Sequence, residues 1–146
     1  MGISFARHPL HPALAHFPVA LWITATVADL IALRTGDVSW WQVSRYLTAG
    51  GTLVGALTLL AGLLELWLRK IPREAMRWLA VHATLMLTAL LCFMVSLSWR
   101  TLAPPPLSAV WLSVLGCACV IAGGFCGGTL VYRFGVGVSW RDQRNP

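Results

Sequence analysis

The chain has 146 residues, of which 58% are hydrophobic and only 11% are Asp, Glu, Lys or Arg, and its mean hydropathy is +0.72. Soluble domains carry roughly 25% charged residues, so this composition excludes a soluble enzyme, a nucleic-acid-binding module and a disordered segment. The length suits about four membrane spans of ~20 residues each, joined by short loops. We therefore interpret the net charge of +6 as contact with anionic lipid headgroups of a lipid bilayer, and expect no nucleic acid partner.

Four apolar runs follow one another along the chain, and each is long enough to span a bilayer. They predict membrane helices over residues 13–33, 47–68, 78–99 and 107–132. No segment between the runs is long enough to fold by itself. We therefore expect one domain over residues 1–146, an all-α integral membrane four-helix bundle. The string Gly-Gly-Thr-Leu-Val occurs twice, at 50–54 and 127–131, but it opens one span and closes another, which we interpret as coincidence.

The distribution of basic residues predicts the orientation of the bundle. The two terminal segments and the second loop lie on one side, and they hold Arg7, Arg69, Lys70, Arg73, Arg77, Arg133, Arg141 and Arg144. The first and third loops hold only Arg34, Arg45 and Arg100. Because cytoplasmic loops carry the excess of Lys and Arg, we expect both termini in the cytoplasm.

Two histidines lie at matching depth on spans that run in the same direction. His16 follows Pro12 by four residues, and His82 follows Trp78 by four residues. At ~1.5 Å per residue, each imidazole is about 6 Å inside its helix. Ionisable groups within a span are costly to insert, so they are functional candidates by default.

Other polar side chains reach the same layer of the bundle. Glu65 arrives near the end of the second span and Tyr132 at the end of the fourth, while His8 and His11 precede the first span. The sequence thus predicts a histidine-rich site near the cytoplasmic face, built from separate helices.

The leading interpretation of this site is a b-type heme, because bundle cores hold such groups between imidazoles from two helices. His16 and His82 are the expected axial ligands. Arg77 and Arg133 would hold the propionates, and Tyr132 would complete the cofactor-binding layer.

Two alternatives remain open. Imidazole and carboxylate ligands also suit a divalent transition metal, held by some of His8, His11, His16, Glu65 and His82. The other alternative is a structural or assembly subunit without cofactor, in which these shallow polar groups hydrogen-bond one another and fix the bundle.

Asp29 lies near the opposite end of the first span, apart from the histidines. Arg34, Arg45 and Arg100 are on that side, and an intramembrane carboxylate usually pairs with such a cation. We therefore expect one of these arginines to pair with Asp29.

No known catalytic arrangement occurs in the sequence. It contains no nucleophile–base–orienter set, no phosphate-binding loop and no His-Glu-x-x-His motif. Four helices also enclose one small pocket rather than a two-gated path. We expect no independent catalytic activity and no autonomous transport.

Three stretches resemble one family. The opening His8-Pro-Leu-His-Pro-Ala-Leu-Ala-His-Phe-Pro-Val-Ala-Leu21, the segment His82-Ala-Thr-Leu85 and the closing Gly127-Gly-Thr-Leu-Val-Tyr-Arg-Phe-Gly-Val-Gly-Val138 are similar to the bacterial four-helix membrane family called domain of unknown function 2231. The resemblance covers nearly the whole chain. Relatives often have His where this chain has Phe134 and Asp where it has Glu65, so one site is expected rather than two.

The resemblance implies a multi-pass protein of the bacterial inner membrane. Some relatives are joined to iron–sulfur domains, which implies an electron-transfer setting and favours the heme interpretation. The expected function is therefore a small b-type cytochrome-like subunit that exchanges electrons with a quinone or a redox partner subunit, within a homo- or hetero-oligomer.

Overall fold

The computed structural model describes residues 4–5, 8–68, 70–101 and 104–137, and the side chains within these ranges from residue 10 onward. Four long helices make up the fold: α1 (Leu10–Thr35), α2 (Val38–Leu68), α3 (Met76–Ser98) and α4 (Leu107–Tyr132). Two short antiparallel strands, β1 (Ser4–Phe5) and β2 (His8–Pro9), precede α1, and a 3-10 turn (Arg73–Ala75) leads into α3. All four helices are long and apolar enough to cross a membrane, which confirms the predicted four-helix membrane bundle.

The second helix begins well before the apolar run that predicted it. Gly36 leaves α1 with a φ of 71°, and Asp37 then caps α2. Its Oδ1 accepts hydrogen bonds from the backbone N–H and the hydroxyl of Ser39, at 2.9 and 2.7 Å. A hydropathy pattern misses these first turns because they expose polar side chains such as Gln42 and Arg45. The cap, rather than the apolar run, determines where α2 starts.

The helices associate as two antiparallel hairpins. α1 packs mainly on α2 and α3 mainly on α4, while the two pairs share fewer contacts. We call α1 and α2 hairpin 1, and α3 and α4 hairpin 2. The short turn at residues 36–37 enforces the antiparallel arrangement of hairpin 1. Glycines on α2 and α4 let the neighbouring helices approach closely.

An aromatic stack occupies the centre of the bundle, between the two hairpins. The rings of Trp22 and Phe93 are parallel within 3°, and their centroids lie 4.8 Å apart. Each ring packs on a glycine of its own hairpin, Trp22 on Gly51 and Phe93 on Gly116. A methyl group at either glycine would lie 2.7 Å from the ring, so both glycines are needed for this packing.

A buried ion pair joins all four helices at one end of the bundle. Arg100, just after α3, donates to both carboxylate oxygens of Asp29, at 2.7 and 2.5 Å. It also donates to the hydroxyls of Ser44, Ser113 and Ser96, at 3.0, 2.9 and 3.2 Å. The expected pairing of Asp29 with an arginine is confirmed, and Arg100 is that arginine. We call this the arginine end, and the opposite end, where α1 and α3 begin, the histidine end.

Candidate functional site

The histidine end brings two imidazoles from different hairpins together. His11 lies in the first turn of α1, and His82 lies near the start of α3. Their ring centroids are 6.4 Å apart, and their planes are nearly perpendicular, at an angle of 88°. Both side chains are partly buried.

The second helix holds the ring of His11. Its Nδ1 lies 2.9 Å from the carbonyl oxygen of Thr58, and the same edge of the ring packs on Gly62. A methyl group at Gly62 would lie 2.9 Å from Nδ1, so the close contact requires glycine. Gly62 is one helical turn after Thr58, so the carbonyl and the glycine lie on the same face of α2.

The fourth helix holds the ring of His82 in the same way. Its Nδ1 lies 2.8 Å from the carbonyl oxygen of Gly123, and the ring packs on Gly127, one turn further along α4. A methyl group at Gly127 would lie 3.0 Å from Cε1 and 3.1 Å from Nδ1. Each hairpin therefore builds the same constellation of imidazole, carbonyl and glycine.

These contacts determine the tautomer of both rings. A carbonyl oxygen only accepts hydrogen bonds, so Nδ1 of His11 and of His82 must carry the proton and donate it. In a neutral imidazole the remaining lone pair is then on Nε2. An Nδ1–H bound to a backbone carbonyl is the arrangement that orients histidines which bind a metal through Nε2.

The structure leaves His16 exposed on α1 and brings His11 to His82 instead. The buried residues of α1 include Pro18, Trp22 and Asp29, which form one stripe. His11 lies seven residues before Pro18 and extends that stripe, whereas His16 is five residues past His11 and about 140° around the helix. Matching depth therefore selected a histidine on the exposed face of α1, whereas the periodicity of the buried stripe favours His11.

Comparison with known proteins agrees with the membrane architecture. The family described as "Predicted membrane protein (DUF2231)" matches residues 7–140. The chain belongs to this family. No curated protein and no solved structure matches it. The matched region of this DUF2231 member includes both histidines and all four helices.

The other predicted site residues of this DUF2231 chain are distributed around the histidine end. Arg77, Tyr132 and Arg133 are exposed there, and the guanidinium of Arg133 lies 5.4 Å from the ring centroid of Phe134. Glu65 is partly buried near the end of α2. His8 belongs to β2, but its side chain lies outside the described part of the structure.

Two imidazoles are therefore the ligand set that the geometry supplies. Within the described ranges, the structure contains no group of three or more His, Cys, Asp or Glu side chains placed to hold a metal ion. Of the five residues from which a divalent transition metal site was predicted, the structure brings the rings of His11 and His82 together, and the side chain of His8 lies outside the described residues. The free cysteines Cys92, Cys117, Cys119 and Cys126 lie within α3 and α4 and do not enlarge the ligand set.

Proposed function

We propose that His11 and His82 would together hold the iron of one b-type heme in a small membrane electron-transfer protein. The observation that carries this proposal is the pair of imidazoles 6.4 Å apart, each with Nδ1 held by a carbonyl of its own hairpin. The proposal keeps His82 from the sequence analysis and replaces His16 by His11.

The separation of the two rings fits one metal atom between them. An Fe–N bond is about 2 Å, and the centre of an imidazole lies about 1 Å behind its nitrogen, so two imidazoles that held one iron between them would have centroids roughly 6 Å apart. The observed 6.4 Å agrees with this value.

The number of ligands favours heme over an isolated ion. Heme iron takes four ligands from the porphyrin and needs only two from the protein. Structural zinc takes four protein ligands and catalytic zinc three. Two imidazoles meet among the described residues, which is the number of protein ligands that heme b would need.

The protein's contribution is to orient and tune the ligands. Heme supplies one-electron chemistry when it is bound. The carbonyls of Thr58 and Gly123 accept the Nδ1 protons, which fixes the ring orientation and raises the basicity of Nε2. Arg77 and Arg133 are exposed at this end, where their guanidinium groups would suit anionic propionates.

The setting of the site follows from the charge distribution and from the resemblance. The excess of basic residues at the histidine end supports a cytoplasmic location for that end and for both termini. A bacterial inner membrane protein with such a site would exchange electrons with a quinone or a membrane-bound redox partner. These assignments belong to the proposal.

A cofactor-free structural subunit is the second candidate. Both imidazoles already donate to carbonyls and pack on glycines, so each stabilises its own hairpin without any ligand. For such a subunit, these hydrogen bonds and glycine contacts are a sufficient role for the two histidines.

A visible spectrum of the purified protein separates the candidates. The protein is expressed with a heme precursor, and its Soret absorption and metal content are compared with those of His11→Ala, His82→Ala and His16→Ala. We expect about one heme per chain, lost in the first two variants and retained in His16→Ala. A spectrum without a Soret band contradicts the heme proposal. A stoichiometric transition metal in that material would then indicate the metal alternative, and its absence the structural one.

A further inference from the structure

Three contacts between the hairpins join residues with the same separation in sequence. The buried ion pair links residues 71 positions apart, and the other two contacts have the same separation. The three contacting pairs, from the histidine end to the arginine end, are His11 with His82, Trp22 with Phe93, and Asp29 with Arg100. These three residues of α1 therefore each contact the residue 71 positions later, in α3 or just after it.

Contacts inside the two hairpins are equivalent as well. Three kinds of residue are equivalent: the glycines that contact the aromatic rings, the glycines that contact the histidines, and the residues whose carbonyls bind Nδ1. In each kind, the residue of hairpin 2 comes 65 positions after its equivalent in hairpin 1. These pairs are Gly51 with Gly116, Gly62 with Gly127, and Thr58 with Gly123. The two Gly-Gly-Thr-Leu-Val strings do not follow this separation, so they occupy different places in the two hairpins, as expected of a coincidence.

We infer that the chain is an internal repeat of one helical hairpin, and that the buried pair Asp29–Arg100 is the device that makes the two unlike repeats pair with each other. Repeats that run in the same direction and are related by an axis along the membrane normal are a known membrane architecture. The histidines, the aromatic stack and the ion pair all lie across this axis. The inference does not depend on a heme.

Opposite charges at equivalent positions give the pairing its specificity. If two copies of hairpin 1 associated, two Asp29 carboxylates would meet in the core, and two copies of hairpin 2 would bring together two Arg100 guanidinium groups. Both positions are nearly inaccessible, with exposures of 0% and 2%. Uncompensated like charges at such depth are strongly unfavourable, so only the unlike halves associate.

An unexplained hydroxyl supports the equivalence of the two repeats independently. Thr48 is completely buried, yet its Oγ1 has no hydrogen-bond partner among the described residues. Its equivalent in α4 is Ser113, whose Oγ accepts a hydrogen bond from Arg100. Thr48 therefore occupies the position from which a hydroxyl would accept a hydrogen bond from an arginine at position 29. Hairpin 1 has Asp at that position instead.

Exchange of the two charges tests the pairing device. Asp29→Arg and Arg100→Asp are compared, singly and together, by apparent melting temperature and by the monodisperse fraction in detergent. We expect each single variant to lose most of its monodisperse protein and the double variant to recover more than half of that loss. We expect incomplete recovery because Ser44 and Ser96 are placed to accept hydrogen bonds from an arginine at position 100, not from one at position 29. A double variant as unstable as the worse single variant overturns the pairing device, and Arg34→Asp, at an exposed site, is the matched control.

Exchange of the aromatic residues tests the repeat without altering any charge. The indole of Trp22 reaches Gly55 as well as Gly51, but the position equivalent to Gly55 is Val120. The variant Trp22→Phe with Phe93→Trp is therefore expected to melt at a lower temperature. Adding Val120→Gly should restore part of that loss, whereas Val120→Gly in the native background should only destabilise. If Val120→Gly lowers stability equally in both backgrounds, the positions are not equivalent and the repeat is refuted.

Discussion

Arg100 binds Asp29 through two parallel hydrogen bonds, and both side chains are withdrawn almost completely from the surface. The guanidinium has five N–H groups, and the three serine hydroxyls accept the remaining three, so all of its donors are satisfied. A buried charge pair is tolerated when such hydrogen bonds accompany it.

Removal of one charge from this pair should be more damaging than removal of both. In Arg100→Met the carboxylate of Asp29 is left buried without its cation, and we expect a loss of about 3–5 kcal/mol in the free energy of unfolding. In Asp29→Leu with Arg100→Met no charge remains, so most of that loss should be recovered. Equilibrium unfolding in mixed micelles measures both variants. A double variant no more stable than Arg100→Met would show that the serine network, and not the stranded charge, determines the cost.

Two glycines of α4 should respond differently to alanine. A methyl group at Gly116 would lie 2.7 Å from the Phe93 ring, whereas nothing lies within 4 Å of a methyl group at Gly124. We expect Gly116→Ala to lose about 1–3 kcal/mol through overpacking. Gly124→Ala should be neutral or gain up to about 1 kcal/mol, because alanine is the better helix former. The two variants share one helix and one chemical change, so equal melting temperatures would contradict the described packing of Phe93.

The glycines below the histidines should control ligand binding without being ligands. In Gly62→Ala and in Gly127→Ala the added methyl group displaces an imidazole that contacts it at about 3 Å or less. If the heme proposal is right, each change should weaken heme retention by about 10–100-fold, as loss of a supporting contact usually does. Heme titration of stripped protein measures this effect. Gly128→Ala, where the nearest atom is 3.9 Å away on Tyr132, is the control and should bind heme like the unmodified chain.

The cap of α2 should make a small, pH-dependent contribution to stability. Hydrogen bonds from the hydroxyl and backbone N–H of Ser39 lower the pKa of Asp37 below its usual value. Because the folded pKa is the lower one, the stabilisation is complete above the unfolded pKa and is lost as the pH falls through the folded pKa. Melting curves between pH 6 and about pH 3 should therefore converge for the native chain and Asp37→Asn. A constant difference over this range would mean that Asp37 does not titrate as a cap.

Composition and apolar runs were sufficient to predict the membrane bundle. A chain with so few charged residues buries its backbone polar groups in lipid only by forming helices, so the number and approximate bounds of the spans follow from hydropathy. Helix α2 starts at Val38, nine residues before the predicted span, because a capping interaction at Asp37 is invisible to hydropathy. From the sequence, the partner of Asp29 could be any of the three arginines predicted at its end of the bundle. The structure shows that the partner is Arg100.

The composition of the histidine site depended on rotation about the helix axis. Depth is set by residue number and helical rise, so the sequence could predict a layer of polar groups at one end. Which histidine faces inward depends on the phase of the buried stripe, and the stripe selects His11 over His16. The glycine and carbonyl that hold each imidazole lie 41 or more residues away in the chain, so no local pattern indicated them.

The sequence by itself determined that this protein spans a membrane with four helices, because hydropathy and length act residue by residue. Only the tertiary structure decided which side chains meet: His11 with His82, Trp22 with Phe93, and Asp29 with Arg100. Those contacts depend on how the two hairpins are rotated and aligned relative to each other. The packing of side chains against glycines determines both the rotation and the alignment.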